Sequence, residues 1–235
     1  VYMGNASRAQ QNPSSYLSMI IDGADQADFA LPHSKERSHA TEAAWKLQLK
    51  LYGVIVHGVG VWAYTCPPHI GQGNNVTIQA IWDTLLAVLQ LKGILPPTLY
   101  LQLDNTTKQN KGRYLKGFLG LLVQLGIFKR IIIGYLPVGH THEDIDQRFS
   151  RIAVYLRNHN AYSIESFHRC IRASYHGKHL CGETVQTIHW KTVANISDWL
   201  KPYVPKSKWA GLMSFRHFKI VVGDDKQVWY TSRTM

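Results

Sequence analysis

The sequence predicts an α/β domain in which a mixed β-sheet is flanked by helices and followed by a C-terminal α+β extension. Short apolar and β-branched runs alternate with longer amphipathic ones, as strands alternate with helices in such folds. Two of the short runs end on an aspartate. At 235 residues and 45% hydrophobic, the chain is long enough to bury one substantial core and is neither disordered nor fibrous. The expected organisation is a connector over 1–14, a core domain over 15–160, and a helical and hairpin extension over 161–235 packed on that core.

Residues 1–14 are polar and turn-rich, and read as a connector from something upstream. Tyr16 to Asp22 is a short apolar strand ending on its aspartate. Asp25 and Asp28 fall in a loop-like stretch and read as solvated loop acids. From Lys46 to Cys66, two β-rich runs flank His57-Gly58-Val59-Gly60, whose glycines allow the positive φ of a tight hairpin. Pro67 and Pro68 stop the sheet. Val76 to Leu91 has helical spacing, with Ile78, Ile81, Trp82, Leu85, Leu86 and Leu89 toward the core and Gly93 as its stop.

After Pro96 and Pro97, Leu99, Leu101 and Leu103 alternate with Tyr100 and Gln102 in a strand that ends on Asp104. Tyr114 to Leu125 is a second core helix carrying Leu115, Phe118, Leu119, Leu122 and Leu125, closed by Gly126. Lys129 to Leu136 is a further strand. The polar loop VGHTHEDID leads into a helix over Glu143 to Arg157. At about 100° per residue, Ile145, Phe149, Ile152 and Leu156 share one arc. Asp144 and Asp146 flank that arc on opposite sides, and Glu143 points to solvent. Ser163 caps a helix reaching Tyr175, Lys201 to Lys208 reads as linker, and 215–222 with 227–232 form a terminal hairpin around 223–226.

The formal charge of +11 and a pI near 9.6 favour an anionic partner, nucleic acid foremost. Three scattered cysteines, Cys66, Cys170 and Cys181, make no disulfide framework and suit a reducing compartment. No apolar run approaches the roughly 20 residues that span a bilayer, and no signal peptide opens the chain, so the expectation is a soluble intracellular protein or a piece of one.

An acid where a strand leaves the sheet is held by the sheet yet open to solvent, the geometry a metal-binding or acid/base carboxylate needs. Asp22, Asp104 and an acid on the 143–157 helix, Asp146 with Asp144 in reserve, can therefore meet at one sheet edge. Such a set suits two Mg²⁺ or Mn²⁺ ions completed by substrate phosphates. The alternative is three unrelated turns and caps, with Asp104-Asn105-Thr106-Thr107 forming an Asx-type turn.

LYLQLDNTTKQNKGRYLKGFLGLLVQLGIF followed by VGHTHEDIDQRFSRI resembles the integrase-like domain of unknown function of transposon-derived eukaryotic proteins. That family is a branch of the RNase H-like superfamily, which includes DDE transposases and retroviral integrases. SMIIDGADQADFALPH resembles the family's first acidic strand, and the resemblance covers about Tyr16 to Leu156. It implies an RNase H-like mixed five-stranded sheet, with Asp22, Asp104 and Asp146 as the catalytic and metal-binding acids. It also implies a nuclear catalytic core that cleaves and joins DNA phosphodiesters; the alternative is a domesticated, catalytically inactive nucleic-acid-binding or assembly module with the same fold. Asp146 departs from the glutamate usual at the third place, and its shorter reach weakens the case for cleavage.

Asn105, Lys108, Gln109, Asn110, Lys111, Arg113 and Arg148 are candidate DNA contacts, or else shape the loop and helix starts. His140 is a further candidate at the nucleic-acid site, where it positions a carboxylate or a water, or else is satisfied by backbone. His168, Cys170, His176, His179 and Cys181 have the residue types of a zinc site without a recognised finger spacing. Trp190, Trp199, Trp209 and Trp229 among lysines are base-stacking or core residues. The expected partners are DNA and, in an assembly, further copies of the chain, with no membrane.

Overall fold

The computed structural model describes residues 2–24, 29–36, 45–71, 73–104, 112–135, 144–175, 184–206, 215 and 217–233. The elements in order are helix α1 (Tyr2–Gln11) and strands β1 (Tyr16–Gly23), β2 (Ala30–Leu31), β3 (Leu47–Gln48), β4 (Lys50–Val56) and β5 (Gly60–Cys66). Helix α2 (Asn74–Lys92), strand β6 (Thr98–Leu103), helix α3 (Arg113–Gln124) and strand β7 (Arg130–Tyr135) follow. Helices α4 (Asp144–Arg157) and α5 (Ile164–Ser174), strand β8 (Thr184–His189), helix α6 (Ile196–Leu200) and strands β9 (His217–Val222) and β10 (Val228–Arg233) complete the chain.

One mixed sheet of eight strands runs in the order β10-β9-β7-β6-β1-β4-β5-β8, and β2 pairs with β3 separately. In its centre β1, β6 and β7 are parallel, and β4 lies antiparallel between β1 and β5. The α/β class expected from the sequence is therefore present, but the sheet has eight strands rather than five. A five-stranded sheet ending on β5 and β7 would expose two rows of unpaired backbone groups. Instead β8 adds in parallel to β5, and β9 adds antiparallel to β7 with β10 outside it.

The pleat sends alternate side chains to opposite faces. On one face Leu17, Met19 and Ile21 of β1 and Leu99, Leu101 and Leu103 of β6 meet Ile78, Ile81 and Leu85 of α2 and Leu115, Leu119 and Leu122 of α3. On the other face Ile20, Leu51, Ile55 and Val61 meet Ile145, Ile152 and Leu156 of α4 and Phe167 and Ile171 of α5. Two hydrophobic layers thus sandwich the sheet.

Local signals behave largely as their chemistry dictates. Gly58 (φ 75°) turns the β4–β5 hairpin, and Gly93 (φ 74°) closes α2 with its N–H donating to the Leu89 carbonyl. The Ser163 hydroxyl caps α5 by accepting from the Ser166 N–H at 3.2 Å. Other expectations fail. Residues 2–11, read as connector, form α1, because Ala6 and Ala9 are small enough to bury against β1. Trp82, Leu86, Leu89 and Leu125, assigned to the core, are exposed, since the apolar stripes of α2 and α3 are wider than the faces the sheet covers. Strand β8 and helix α6 carry no strong pattern of their own and are specified by the neighbours they pair with. Asp25 and Asp28 lie outside the described residues.

Phe218 on β9 is 1% exposed and lies in the same cluster as Ile131 and Ile133 of β7. Phe218→Ala should cost about 3–5 kcal/mol, read as a lower midpoint of one cooperative denaturation curve. A separate early transition would mean that the hairpin is not part of the central folding unit.

Candidate functional site

The acids sit where the sheet geometry directs them. Strands β1 and β6 are parallel neighbours with Ile21 opposite Leu103, so the next residues, Asp22 and Asp104, follow at the same level on strands about 4.8 Å apart. Ile21 and Leu103 point into the α2–α3 layer. By the pleat their successors face the opposite side, toward α4.

Asp22 is half-buried and accepts a hydrogen bond from the Gly23 N–H at 2.8 Å. Its carboxyl is nevertheless pushed up to about 7. Burial is the main cause, the Gly23 N–H opposes it, and the negative charges of Asp104 and Asp146 add to it. Those two carboxylates are therefore close enough to be felt at Asp22. Among the described residues, which include all three acids, no group of three or more His, Cys, Asp or Glu side chains is placed to hold a metal ion.

Helix α4 brings the third acid. Ile145, Ile152 and Leu156 bury beneath it against the sheet. Its approach depends on Gly53, which pairs with Asp22 on the neighbouring strand. A Cβ at Gly53 would stand 2.9 Å from two Phe149 ring carbons and 3.4 Å from Ile145 Cδ1. Bare backbone at this point lets the first turns of α4 lie over β4 and β1 beside Asp22.

The acids on either side of the buried arc of α4 part company. Tyr2 donates from its hydroxyl to Asp144 Oδ1 at 2.6 Å, and Asp144 Oδ2 lies 3.0 Å from His57 Nε2. His57 Nδ1 in turn lies 3.0 Å from the Ser18 hydroxyl and 3.1 Å from its carbonyl. Burial opposes ionisation of Asp144, but the His57 and Tyr2 hydrogen bonds outweigh it and hold the carboxyl below its ordinary range. Asp144 is thus a structural acid that ties α4 to α1, β1 and the β4–β5 turn, while Asp146 is the helix acid whose charge acts on Asp22. Ser18 is 2% exposed, so its contact with His57 is a buried link and not an accessible nucleophile. Tyr2, Ser18, His57 and Gly53 were not singled out from sequence, because their roles arise from partners far away in the chain.

The remaining candidates divide. Asn105, Lys108, Gln109, Asn110, Lys111 and His140 lie outside the described residues. Arg113, in the first turn of α3, stacks its guanidinium 4.7 Å from the Tyr114 ring centre. Arg148 lies 5.6 Å from the Tyr175 ring centre. Of the possible zinc ligands, His176, His179 and Cys181 are outside the described residues. His168 is buried with Nε2 2.8 Å from the Thr65 hydroxyl, and burial drives it down to about 4. The Cys170 thiol packs beside Phe167 and Ile171. Trp190 stacks on Tyr64 and is core, whereas Trp199 and Trp229 are exposed.

The raised carboxyl of Asp22 has a signed consequence. Its folded value of about 7 lies above the unfolded 3.8, so the folded state holds a proton that the unfolded state releases. Stability should therefore fall as pH rises from about 4 to 7, by no more than about 4 kcal/mol. Asp22→Asn should flatten that slope and raise the melting temperature of the metal-free protein at pH 8, with no gain at pH 4. Parallel melting curves for the two proteins across this range would show that Asp22 is not electrostatically crowded.

No curated relative and no solved structure matches the chain. One family model matches residues 39–235, a stretch that includes Asp104 and Asp146 and begins after Asp22. That match covers well over half of the sequence, and the chain belongs to the family it describes, a domain of unknown function, DUF7869.

Proposed function

We propose that this chain is the catalytic core of a transposon-derived DDE-type transposase or integrase, with an RNase H-like fold, that cleaves and joins DNA phosphodiesters with divalent metal ions. The observation that carries the reading is the crowding of Asp22 by Asp104 and Asp146 at the ends of two parallel strands beneath α4. The central strand order β5-β4-β1-β6-β7, in which β4 alone runs opposite to the rest, supports the RNase H-like assignment. Asp22 and Asp104 then end the first and fourth of these strands, and Asp146 lies on the helix after the fifth.

The donor set suits Mg²⁺ or Mn²⁺. These ions take oxygen ligands, and Mg²⁺ commonly uses only one or two carboxylates, filling its shell with water and substrate phosphate. A full protein cage is not required. Asp22 and Asp104 would hold the ions from the sheet and Asp146 from the helix, and the bound metal would activate the attacking oxygen and stabilise the leaving one. The protein supplies rigidity: β1 and β6 fix two carboxylates in register, and the Asp144–His57 link fixes the rotation of α4. Asp22 must lose its proton for a cation to bind, so metal affinity should weaken below pH 7. A DNA partner agrees with the charge of +11, and action on chromosomal DNA implies a nuclear location.

A second reading, a domesticated module with the same fold that binds nucleic acid or assembles without cleaving, is favoured by one observation. The third acid is an aspartate, and the described carboxylates do not close into a tight metal cluster.

Asp104→Asn separates the two. It is nearly isosteric and removes the charge a cation needs, so Mg²⁺- or Mn²⁺-dependent strand cleavage should fall by orders of magnitude while the protein stays folded and binds DNA. Equal cleavage by both proteins would place the activity elsewhere, and cleavage by neither, with DNA binding intact, would favour the module.

A further inference from the structure

The sheet is covered unequally on the side that carries the acids. Helices α4 and α5 lie over β4, β1 and β8, and α1 lies along β1. Helix α1 also reaches β6, where Arg8 donates to the Tyr100 hydroxyl at 3.1 Å and Tyr2 and Asn5 line a small cavity with Gln102 and Ile132; beyond it, over β7, β9 and β10, no helix among the described residues covers this side. Leu101, Ile131, Ile133, Phe218 and Ile220 all point to the other side, into the α2–α3 layer. Their neighbours on the open side include Gln102, His217 and Lys219, which are partly or fully exposed. Gln102 lies two residues before Asp104 on the same strand, at the edge where Tyr2 and Asn5 of α1 border the open strands.

The strands themselves carry charge of one sign. Strands β6, β7, β9 and β10 contain no Asp or Glu, their basic residues are Arg130, His217, Lys219 and Arg233, and the acids Asp224 and Asp225 lie in the β9–β10 turn. Arg130 Nε is buried without a hydrogen-bond partner, and an Nη2 contact to the Thr98 hydroxyl is long at 3.4 Å. A guanidinium left partly unsatisfied beside an exposed lysine favours an anion. On β10, Trp229 pairs with Val221, which itself pairs with Arg130. The indole N–H donates to Asp225 Oδ1 at 3.1 Å, which holds the ring by its edge while the side chain stays 55% exposed. An anchored, exposed indole beside cations is suited to stacking an unpaired base.

Size points the same way. Three strands span about 10 Å across, and six residues run about 20 Å along. That is room for a few nucleotides of one strand lying on a flat sheet.

We propose that the open face of β7, β9 and β10 binds a single strand of nucleic acid, with phosphates on Lys219 and Arg130 and a base on Trp229, and leads it past the edge of α1 toward the acids. The proposal rests on the nucleic-acid reading of that site and extends it to residues outside it. The test is fluorescence anisotropy of a labelled oligothymidylate with the full chain, using Lys219→Glu, Lys219→Gln and Trp229→Ala, each verified as folded by its melting curve. Lys219→Glu should weaken binding tenfold or more, with Lys219→Gln between it and the parent. Loss of one phosphate contact should reduce the salt slope by about 0.7. Trp229→Ala should weaken binding by about five- to a hundredfold.

Failure to bind oligothymidylate, or undiminished binding by the Lys219 and Trp229 variants, would overturn the proposal. So would a loss confined to duplex DNA, or binding of a polyglutamate peptide to this face in place of the oligonucleotide. Cleavage activity is scored separately with Asp104→Asn. An inactive protein whose surface variants still lose single-strand binding would sink the catalytic reading and keep the surface, and an active one with unaffected surface variants would do the reverse.

Discussion

The parallel pairing of β1 with β6 is the constraint on which the rest of the site depends. Because Ile21 and Leu103 stand opposite each other with their side chains buried on one face, the following aspartates are obliged to emerge at the same level on the other. A one-residue slip would reverse both faces and bury charge in the α2–α3 layer. The register is therefore held by the hydrophobic core, and the proximity of two like charges is a consequence that the core is strong enough to tolerate. At Asp22 burial above all, with the charges of Asp104 and Asp146 adding to it, pushes the carboxyl up to about 7.

Helix α4 adds the third charge without being held by it. Its position is set by apolar burial on one arc, by the missing side chain at Gly53, and by the chain of polar contacts from Tyr2 through Asp144 and His57 to Ser18. That chain links α1, α4, β1 and the β4–β5 turn, elements far apart in sequence. Asp144 and Asp146 are two residues apart yet have opposite tasks, since a helix turns about 200° between them. Asp144 is held by Tyr2 and His57, and the charge of Asp146 is felt at Asp22.

The C-terminal strands matter for a different reason. By pairing with β7 and β5 they remove the exposed edges of the central sheet, and on one side β9 and β10 lengthen a face that no described helix covers. The same addition that completes the hydrogen bonding of the sheet extends that face beyond β7.

By itself the sequence determined the α/β class, most strand and helix positions, the glycine stops at Gly58 and Gly93, the Ser163 cap, and the strand-end positions of Asp22 and Asp104. These depend on local periodicity, on backbone freedom and on short-range hydrogen bonds, all of which are written in neighbouring residues. The flanking geometry of Asp144 and Asp146 was legible too, because 100° per residue is a property of any helix. Only the tertiary structure decided which of the two turns toward Asp22, since that choice rests on His57 and Tyr2, 87 and 142 residues away from Asp144. It also decided that α1 is a helix and that the sheet has eight strands, because Ala6, Ala9 and β8 have little pattern of their own and gain their structure from the surfaces they meet.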